Sequence, residues 1–320
     1  MTAILGIDIS KKKFDVALLV KNKINHKIYA NNEEGFNLLE TWLISRNVKK
    51  VHACMESTGI YSQGLANFLY NKKHKVSVVN PTRIKGQAQS TLCRNKTDKS
   101  DAKTIAFFCH AHKPSAWEPV KEHIVFLQKL VRRYDQLNDL LYQEKNREES
   151  KTIVVETSLH EVISFLKKQI EIVEKQMKDL IQKNQDLAKK EILLNSIPGV
   201  GNITIAKVLA FLGETEKFDD AKRVVSFIGL SPKKNESGSS VNKKTRISKA
   251  GDPQMRRALY MPALVAIRYN PLVKIFYENL LKNGKCKKLA LCAAMRKLIH
   301  IIYGVLKSEK MFDPCFLAAK

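Results

Sequence analysis

The 320-residue chain has no paired-cysteine motif, no long uninterrupted apolar run and a shortage of acids. Its six cysteines (Cys54, Cys93, Cys109, Cys286, Cys292 and Cys315) are scattered, with no CxxC pair. That spacing argues against a zinc ribbon or a disulfide framework and for reduced thiols. Cys109, His110 and His112 stand close together, but without a second ligand pair they read as helix-end residues. Apolar runs fall short of the roughly 20 residues that span a bilayer. The first ten residues lack a basic region ahead of an apolar core, so no secretory signal is expected and the reading is cytoplasmic and nucleoid-associated. Asp and Glu number 31 against 56 Lys and Arg, a formal net charge of +25. Such an excess implies a polyanionic partner, nucleic acid ahead of an anionic membrane, held in a salt-sensitive way. A hydrophobic content of 44% is enough for real cores in two or three domains.

What is present falls into three segments. Over residues 1–118, short apolar strands are expected at 3–10, 14–20, 27–30, 51–55 and 76–79, with helices at 31–45, 59–70 and 97–109. Three strands with short connections, then helix, strand, helix, strand, is the order of an RNase H-like (RuvC-like) α/β fold. Over residues 119–190, Leu127, Leu130, Tyr134, Leu137 and Leu141 form one apolar seam, and Leu159, Ile163, Leu166, Ile170, Val173, Met177 and Leu180 a second. Alternating steps of three and four predict a helical hairpin or coiled coil, packed on itself or on a second subunit. Residues 191–320 read as mainly helical. There Pro198-Gly199-Val200-Gly201 between two short helical pieces suggests a helix-hairpin-helix, whose glycines would let backbone N–H groups approach phosphate.

Four acids are candidates for chemistry. Asp8 sits among Ile4, Leu5, Ile7 and Ile9, where a carboxylate is costly unless it lies at a strand end or meets a cation. Glu56 directly follows a second apolar strand. Asp98 and Asp101, three apart on an expected helix, share one face. Brought together, these four would repel one another unless divalent cations neutralised them, and hard oxygen ligands suit Mg2+ or Mn2+. A pair of such ions serves phosphodiester chemistry. Individually the acids have plainer readings: Asp8 as a turn cap toward Lys11–Lys13, Asp98 as a helix-start acid behind Thr97. Actin-like sugar kinases also open on a strand with Asp, but there Gly follows; here Ile9 and Ser10 do, with no second phosphate loop.

Residues 231–257 form a basic stretch expected to be a loop: Lys233, Lys234, Lys243, Lys244, Arg246, Lys249, Arg256 and Arg257 against Glu236 and Asp252. Lys243, Lys244, Arg246, Lys249, Arg256 and Arg257, with Gly199 and Gly201, are the candidate nucleic-acid contacts. Ser237-Gly238 sits mid-stretch. A serine is a weak nucleophile without a base, metal or cationic field. With no His or Asp base adjacent, the residues alone favour a loop that grips phosphate.

Six segments together carry a resemblance. GIDISKKKFDVAL, MESTGIY and NKTDKSDA resemble the N-terminal motifs of the DEDD transposases of the insertion sequence 110 family, related to the Piv DNA invertases. IPGVGNITIAKVLAFLG, FIGLSPKKNESG and ISKAGDPQMRRALY resemble that family's C-terminal transposase domain. The resemblance implies an RNase H-like domain with Asp8, Glu56, Asp98 and Asp101 as a magnesium-binding tetrad. It places a catalytic serine at Ser237, with Ser239, Ser240 and Ser248 as nearby alternatives. It further implies a covalent phosphoserine with a DNA strand, donor and target double-stranded DNA as substrates, a structured bridge RNA as guide, and a homodimer or tetramer in which one subunit's tetrad meets another's serine. Two other readings stand beside it: a junction-resolving nuclease that uses water, and a non-catalytic nucleic-acid-binding scaffold.

Overall fold

A computed structural model describes residues 3–57, 59, 61–90, 97–149, 156–237 and 241–315. They divide into two compact units, before and after Val120.

The first unit is a five-stranded sheet with helices on both faces. Its strands are β1 (Ala3–Ile9), β2 (Lys13–Val20), β3 (Lys23–Ala30), β4 (Val51–Glu56) and β5 (Lys75–Val79), in the order β3-β2-β1-β4-β5. β1, β2 and β3 are antiparallel neighbours, while β4 and β5 run parallel to β1. Three strands followed by helix, strand, helix and strand is the element order expected along the chain, and the five-stranded α/β unit is consistent with an RNase H-like fold. Its helices are α1 (Glu33–Ser45), α2 (Gln63–Asn71), α3 (Pro81–Ser90) and α4 (Asp98–His112). Alternation along each strand sorts the side chains into two cores. Leu5, Ile7, Phe14, Val16, Ala53 and Met55 pack against α1 and α2. Ile4, Ala17, Leu19 and Cys54 pack with Ile84 of α3 and with Ala102, Ile105 and Ala106 of α4. Both faces of β1 and β4 are therefore covered, which is why these strands read as continuous apolar runs.

Two elements depart from expectation. β3 begins at Lys23 rather than 27, because all eight of its residues pair with β2. It is an edge strand with alternating polar residues, so its sequence carries little apolar signal. α3 was not expected at all; Pro81 opens it rather than closing the region, with Asn80 Oδ1 accepting from the Thr82 amide at 2.9 Å.

The second unit is mostly helical. It contains α5 (Glu122–Glu149), α6 (Glu156–Lys183), α7 (Gln185–Asn195), α8 (Asn202–Leu212), a 3-10 turn (Thr215–Lys217), α9 (Ala221–Ile228), α10 (Pro253–Tyr269), α11 (Pro271–Lys282) and α12 (Lys287–Ser308). α5 and α6 pack on each other with Leu127, Leu130, Leu137, Ile163, Leu166 and Val173 buried, and the pair also packs on α7 and α8. α12 has the length and apolar content of a bilayer span, although no such run was expected. Half of its most apolar stretch is buried, with Leu298, Ile299 and Ile302 in the core against α7, α9, α10 and α11. It serves as the unit's central helix.

The basic stretch expected to be a loop contains an antiparallel hairpin: β6 (Pro232–Ser237) pairs with β7 (Val241–Ile247), with a register shift between Lys233 and Asn235. Its alternating polar residues lack the apolar side by which a half-buried strand is recognised in sequence.

Candidate active site

Asp8 and Glu56 are brought together by strand register. β1 and β4 pair in parallel with Gly6 opposite Cys54 and Ile7 opposite Met55. One step further, Asp8 comes alongside Glu56 at the carboxyl ends of both strands. Neighbouring strands lie about 4.8 Å apart. Asp8 follows Gly6 by two residues and so projects from the face that α4 covers.

α4 supplies the other two acids. Thr97 caps it, its hydroxyl accepting from the Ser100 amide at 3.2 Å while Ser100 Oγ accepts from the Thr97 amide at 2.9 Å. This capping box fixes where the helix starts and puts Asp98 and Asp101 in its first turn. The helix lies directly on β1 at Gly6: a Cβ there would stand 2.3 Å from both the Ala102 carbonyl oxygen and the Ala106 amide nitrogen. Only glycine permits that approach, and it brings the first turn of α4 to the end of β1 where Asp8 projects.

The electrostatics follow from this geometry. Burial pushes the Asp8 carboxyl up to about 6, and the charges of Asp101, Asp98, Glu56 and Asp15 add to the effect. The four candidate acids, distant in sequence, thus share one field. Clustered negative charge on hard oxygen donors suits a divalent cation. The donor set fits, but the cage is open: among the described residues no three His, Cys, Asp or Glu side chains are grouped closely enough to hold a metal ion as they stand.

A fifth acid on this face was not singled out from sequence. Asp15 lies directly opposite Asp8 in the β1–β2 ladder and is only 3% exposed. It accepts from Lys13 Nζ at 3.4 Å and lies 2.8 Å from His26 Nε2. Lys13 Nζ also reaches Asp98 at 2.7 Å, which holds the Asp98 carboxyl below the usual range. The available signal was an acid inside Phe14–Val20, the same anomaly that marked Asp8. Beneath the site, Cys54 and Cys109 are buried, and the hydrogen bond that Cys54 donates to Cys109, with burial, pushes the Cys54 thiol up. Among the described residues all five cysteines are free, and Cys93 lies outside them. His112 Nε2 meets Gln87 Oε1 at 3.1 Å, in keeping with a helix-end role.

The second unit holds the candidate serine. Ser237 closes β6, paired in register with Val241 of β7. Gly238, Ser239 and Ser240 lie outside the described residues, while Ser248 follows β7 with its amide donating to the Ser231 carbonyl at 2.8 Å. Lys243 and Lys244 lie on β7; Arg246 on the same strand and Lys249, with φ +54°, are exposed. Arg256 is committed internally: its Nη1 donates to the Ile228 carbonyl at 2.7 Å and the Gly251 carbonyl at 3.2 Å. Arg257 is exposed and paired with Asp139 of α5 at 2.6 Å.

The two glycines of the 198–201 turn have different surroundings. Gly199, at φ +99°, faces α10: a Cβ would meet the Ala266 amide nitrogen at 2.9 Å. The adjacent Pro198 carbonyl accepts from Asn270 Nδ2 at 3.4 Å. Gly201, which precedes α8, has nothing within 4 Å of where a Cβ would stand. Gly199 therefore serves helix packing, and Gly201 is the open position.

Comparison with known proteins gives a consistent match. Residues 5–151 match a DEDD transposase family model of the IS110 type, and residues 191–278 match the transposase IS116/IS110/IS902 family. The chain is 33% identical over 313 residues to a pilin gene-inverting protein of Moraxella bovis, covering 97% of each chain. The pilin gene-inverting protein of Moraxella lacunata matches to the same extent. A transposase for insertion sequence element IS1111A of Coxiella burnetii is 33% identical over 149 residues, covering 43% of this chain and 38% of that one.

Proposed function

The chain belongs to the IS110-type DEDD transposase family, whose members are DNA transposases or recombinases, and from that premise we propose that it breaks and rejoins double-stranded DNA through an acid-held metal and a serine. The carrying observation is the shared field of the acids: Asp8 is pushed up to about 6 by burial and then by Asp101, Asp98 and Glu56. These four would hold Mg2+ or Mn2+. Such an ion, when bound, supplies a Lewis acid beside the scissile phosphate. Ser237 supplies the nucleophile. Its hydroxyl oxygen bonds to phosphorus, the strand's own P–O bond breaks, and the released oxygen takes up a proton. The hydroxyl of the second strand end then reverses the exchange. Lys243, Lys244, Arg246, Lys249 and Arg257 would hold donor and target DNA; Arg256 supports the segment they stand on.

A structured bridge RNA as guide agrees with the net charge of +25, which suits holding RNA as well as DNA. Dimer or tetramer assembly, with one subunit's acids serving another's serine, agrees with the second apolar stripe on α6, where Val162, Phe165 and Ile172 are 41%, 59% and 48% exposed. We read the α5–α6 hairpin of segment 119–190 as a coiled coil, residues 1–118 as the catalytic domain and 191–320 as the serine domain. We read the 198–201 turn as a helix-hairpin-helix that meets phosphate through Gly201, and the protein as cytoplasmic. The full-length match to two proteins named for inverting a pilin gene favours a second outcome of the same chemistry: inversion of a segment between two sites.

The test is a Mg2+-dependent serine–DNA adduct formed by purified protein with its RNA and lost in Ser237→Ala. Unchanged recombination by Ser237→Ala would favour a water-using junction nuclease. Retained recombination by Asp8→Asn and Asp101→Asn would leave only a binding scaffold. Substrates with sites in direct and inverted orientation separate excision from inversion.

A further inference from the structure

The turn between β1 and β2 delivers a cation to the acidic face. Ser10 Oγ donates to the Lys13 carbonyl at 2.8 Å, closing a tight turn that makes Lys13 the first residue of β2. From there its ammonium lies 2.7 Å from Asp98 Oδ2 and 3.4 Å from Asp15 Oδ2. Asp15 is almost wholly buried, and its other oxygen lies 2.8 Å from His26 Nε2. A chain of contacts therefore runs from His26 on edge strand β3, through buried Asp15 and half-exposed Lys13, to Asp98 at the start of α4.

An isolated surface Lys–Asp pair stabilises little. This one differs in two respects. The lysine is tethered at its other side to a buried carboxylate, so it is not free to wander. The acid it meets, 85 residues away in sequence, is one of the four assigned above to a metal cage. No three acids among the described residues close on a common point as they stand, and Asp98 is turned onto a cation of the protein's own.

We propose that Lys13 is a positioning residue, a resident counter-cation that holds Asp98 until a divalent metal displaces it. The proposal rests on the metal reading of the acidic face. Metal and ammonium compete for one carboxylate, so metal binding breaks the Lys13–Asp98 contact, and Asp15 retains the ammonium close by. The contact steadies the metal-free face against its own repulsion and weakens metal binding by the same linkage.

Calorimetric titration of the full chain with Mn2+, alongside thermal melting in EDTA, tests this on the wild type and on Lys13→Met, Lys13→Arg and Lys12→Met. Lys13→Met is expected to bind Mn2+ roughly 2- to 5-fold more tightly, the scale of a half-exposed ion pair, and to melt at a lower temperature in EDTA. Lys13→Arg keeps the charge and should stay near the wild type. Lys12→Met removes the same charge from an exposed neighbour and should leave Mn2+ affinity unchanged. Unchanged or weaker Mn2+ binding by Lys13→Met overturns the proposal. So does an equal gain in Lys12→Met, which would reduce the effect to long-range charge. A wild-type chain that binds no Mn2+ instead removes the metal reading, and the proposal with it.

Discussion

Gly6 of β1 and Ala102 of α4 are in backbone contact: a Cβ on Gly6 would stand 2.3 Å from the Ala102 carbonyl oxygen. Neither residue carries chemistry, yet their approach sets the distance between Asp8, two residues beyond Gly6, and Asp101, immediately before Ala102. Gly6→Ala should therefore cost about 1–3 kcal/mol, as overpacking against backbone does, and should abolish any thermal shift produced by Mn2+. Gly86→Ala on α3, with nothing within 4 Å, is the control. A Gly6→Ala chain that melts like the wild type and responds to Mn2+ would show that the helix can shift without disturbing the site.

The Asp8 carboxyl makes stability depend on pH. Folded and metal-free, it releases its proton near pH 6; unfolded, near 3.8. Between those values the folded chain binds more protons, so this group's contribution to stability falls as pH rises through that window and then levels off. Asp8 is partly solvent-exposed, so after screening the loss is about 1–2 kcal/mol. Denaturant melts in EDTA from pH 4 to 8 should show this decline, and Asp8→Asn should lack it and be more stable than the wild type at pH 7.5. Equal slopes for the two chains would place Asp8 in an ordinary carboxylate environment.

The two glycines of the 198–201 turn should separate in function. Gly199→Ala must hold a positive φ and push on Ala266, so it should destabilise the chain by about 1–3 kcal/mol. Gly201→Ala should melt near the wild type, and loss of nucleic-acid affinity in that variant would identify the open glycine as the phosphate approach. Full affinity in Gly201→Ala would make the turn a packing element only.

Adjacent arginines should likewise behave differently. Arg256→Ala removes two hydrogen bonds to main-chain carbonyls and should lower the melting temperature, at about 1–3 kcal/mol. Arg257→Ala gives up an exposed pair with Asp139 and should change stability little, while reducing the salt dependence of DNA binding by about one phosphate contact. Binding-salt slopes measured for both variants decide this; an unchanged slope for Arg257→Ala would turn that residue away from DNA.

Some of this was legible in residues alone. Alternation and apolar runs marked β1, β2, β4 and β5, and steps of three and four marked the seams of α5 and α6, because burial on one face writes a period into sequence. Edge strand β3, helix α3 and the β6–β7 hairpin were partly or wholly missed, since their residues are polar and their regularity comes from pairing or capping. Asp8 was legible as an acid among isoleucines. Asp15, equally anomalous inside its strand, was not singled out, because nothing in one dimension shows that it stands opposite Asp8.

The sequence by itself determined the charge, the order of the apolar strands and amphipathic helices, and the acids and serine available for chemistry, since these depend on residue type and local period. Only the tertiary structure decided which acids share a field, that Lys13 rests on Asp98, that Arg256 is spent on carbonyls and that Gly199 faces a helix. Those facts depend on strand register and on the close approach of α4 to Gly6, and such long-range distances leave no periodic trace along the chain.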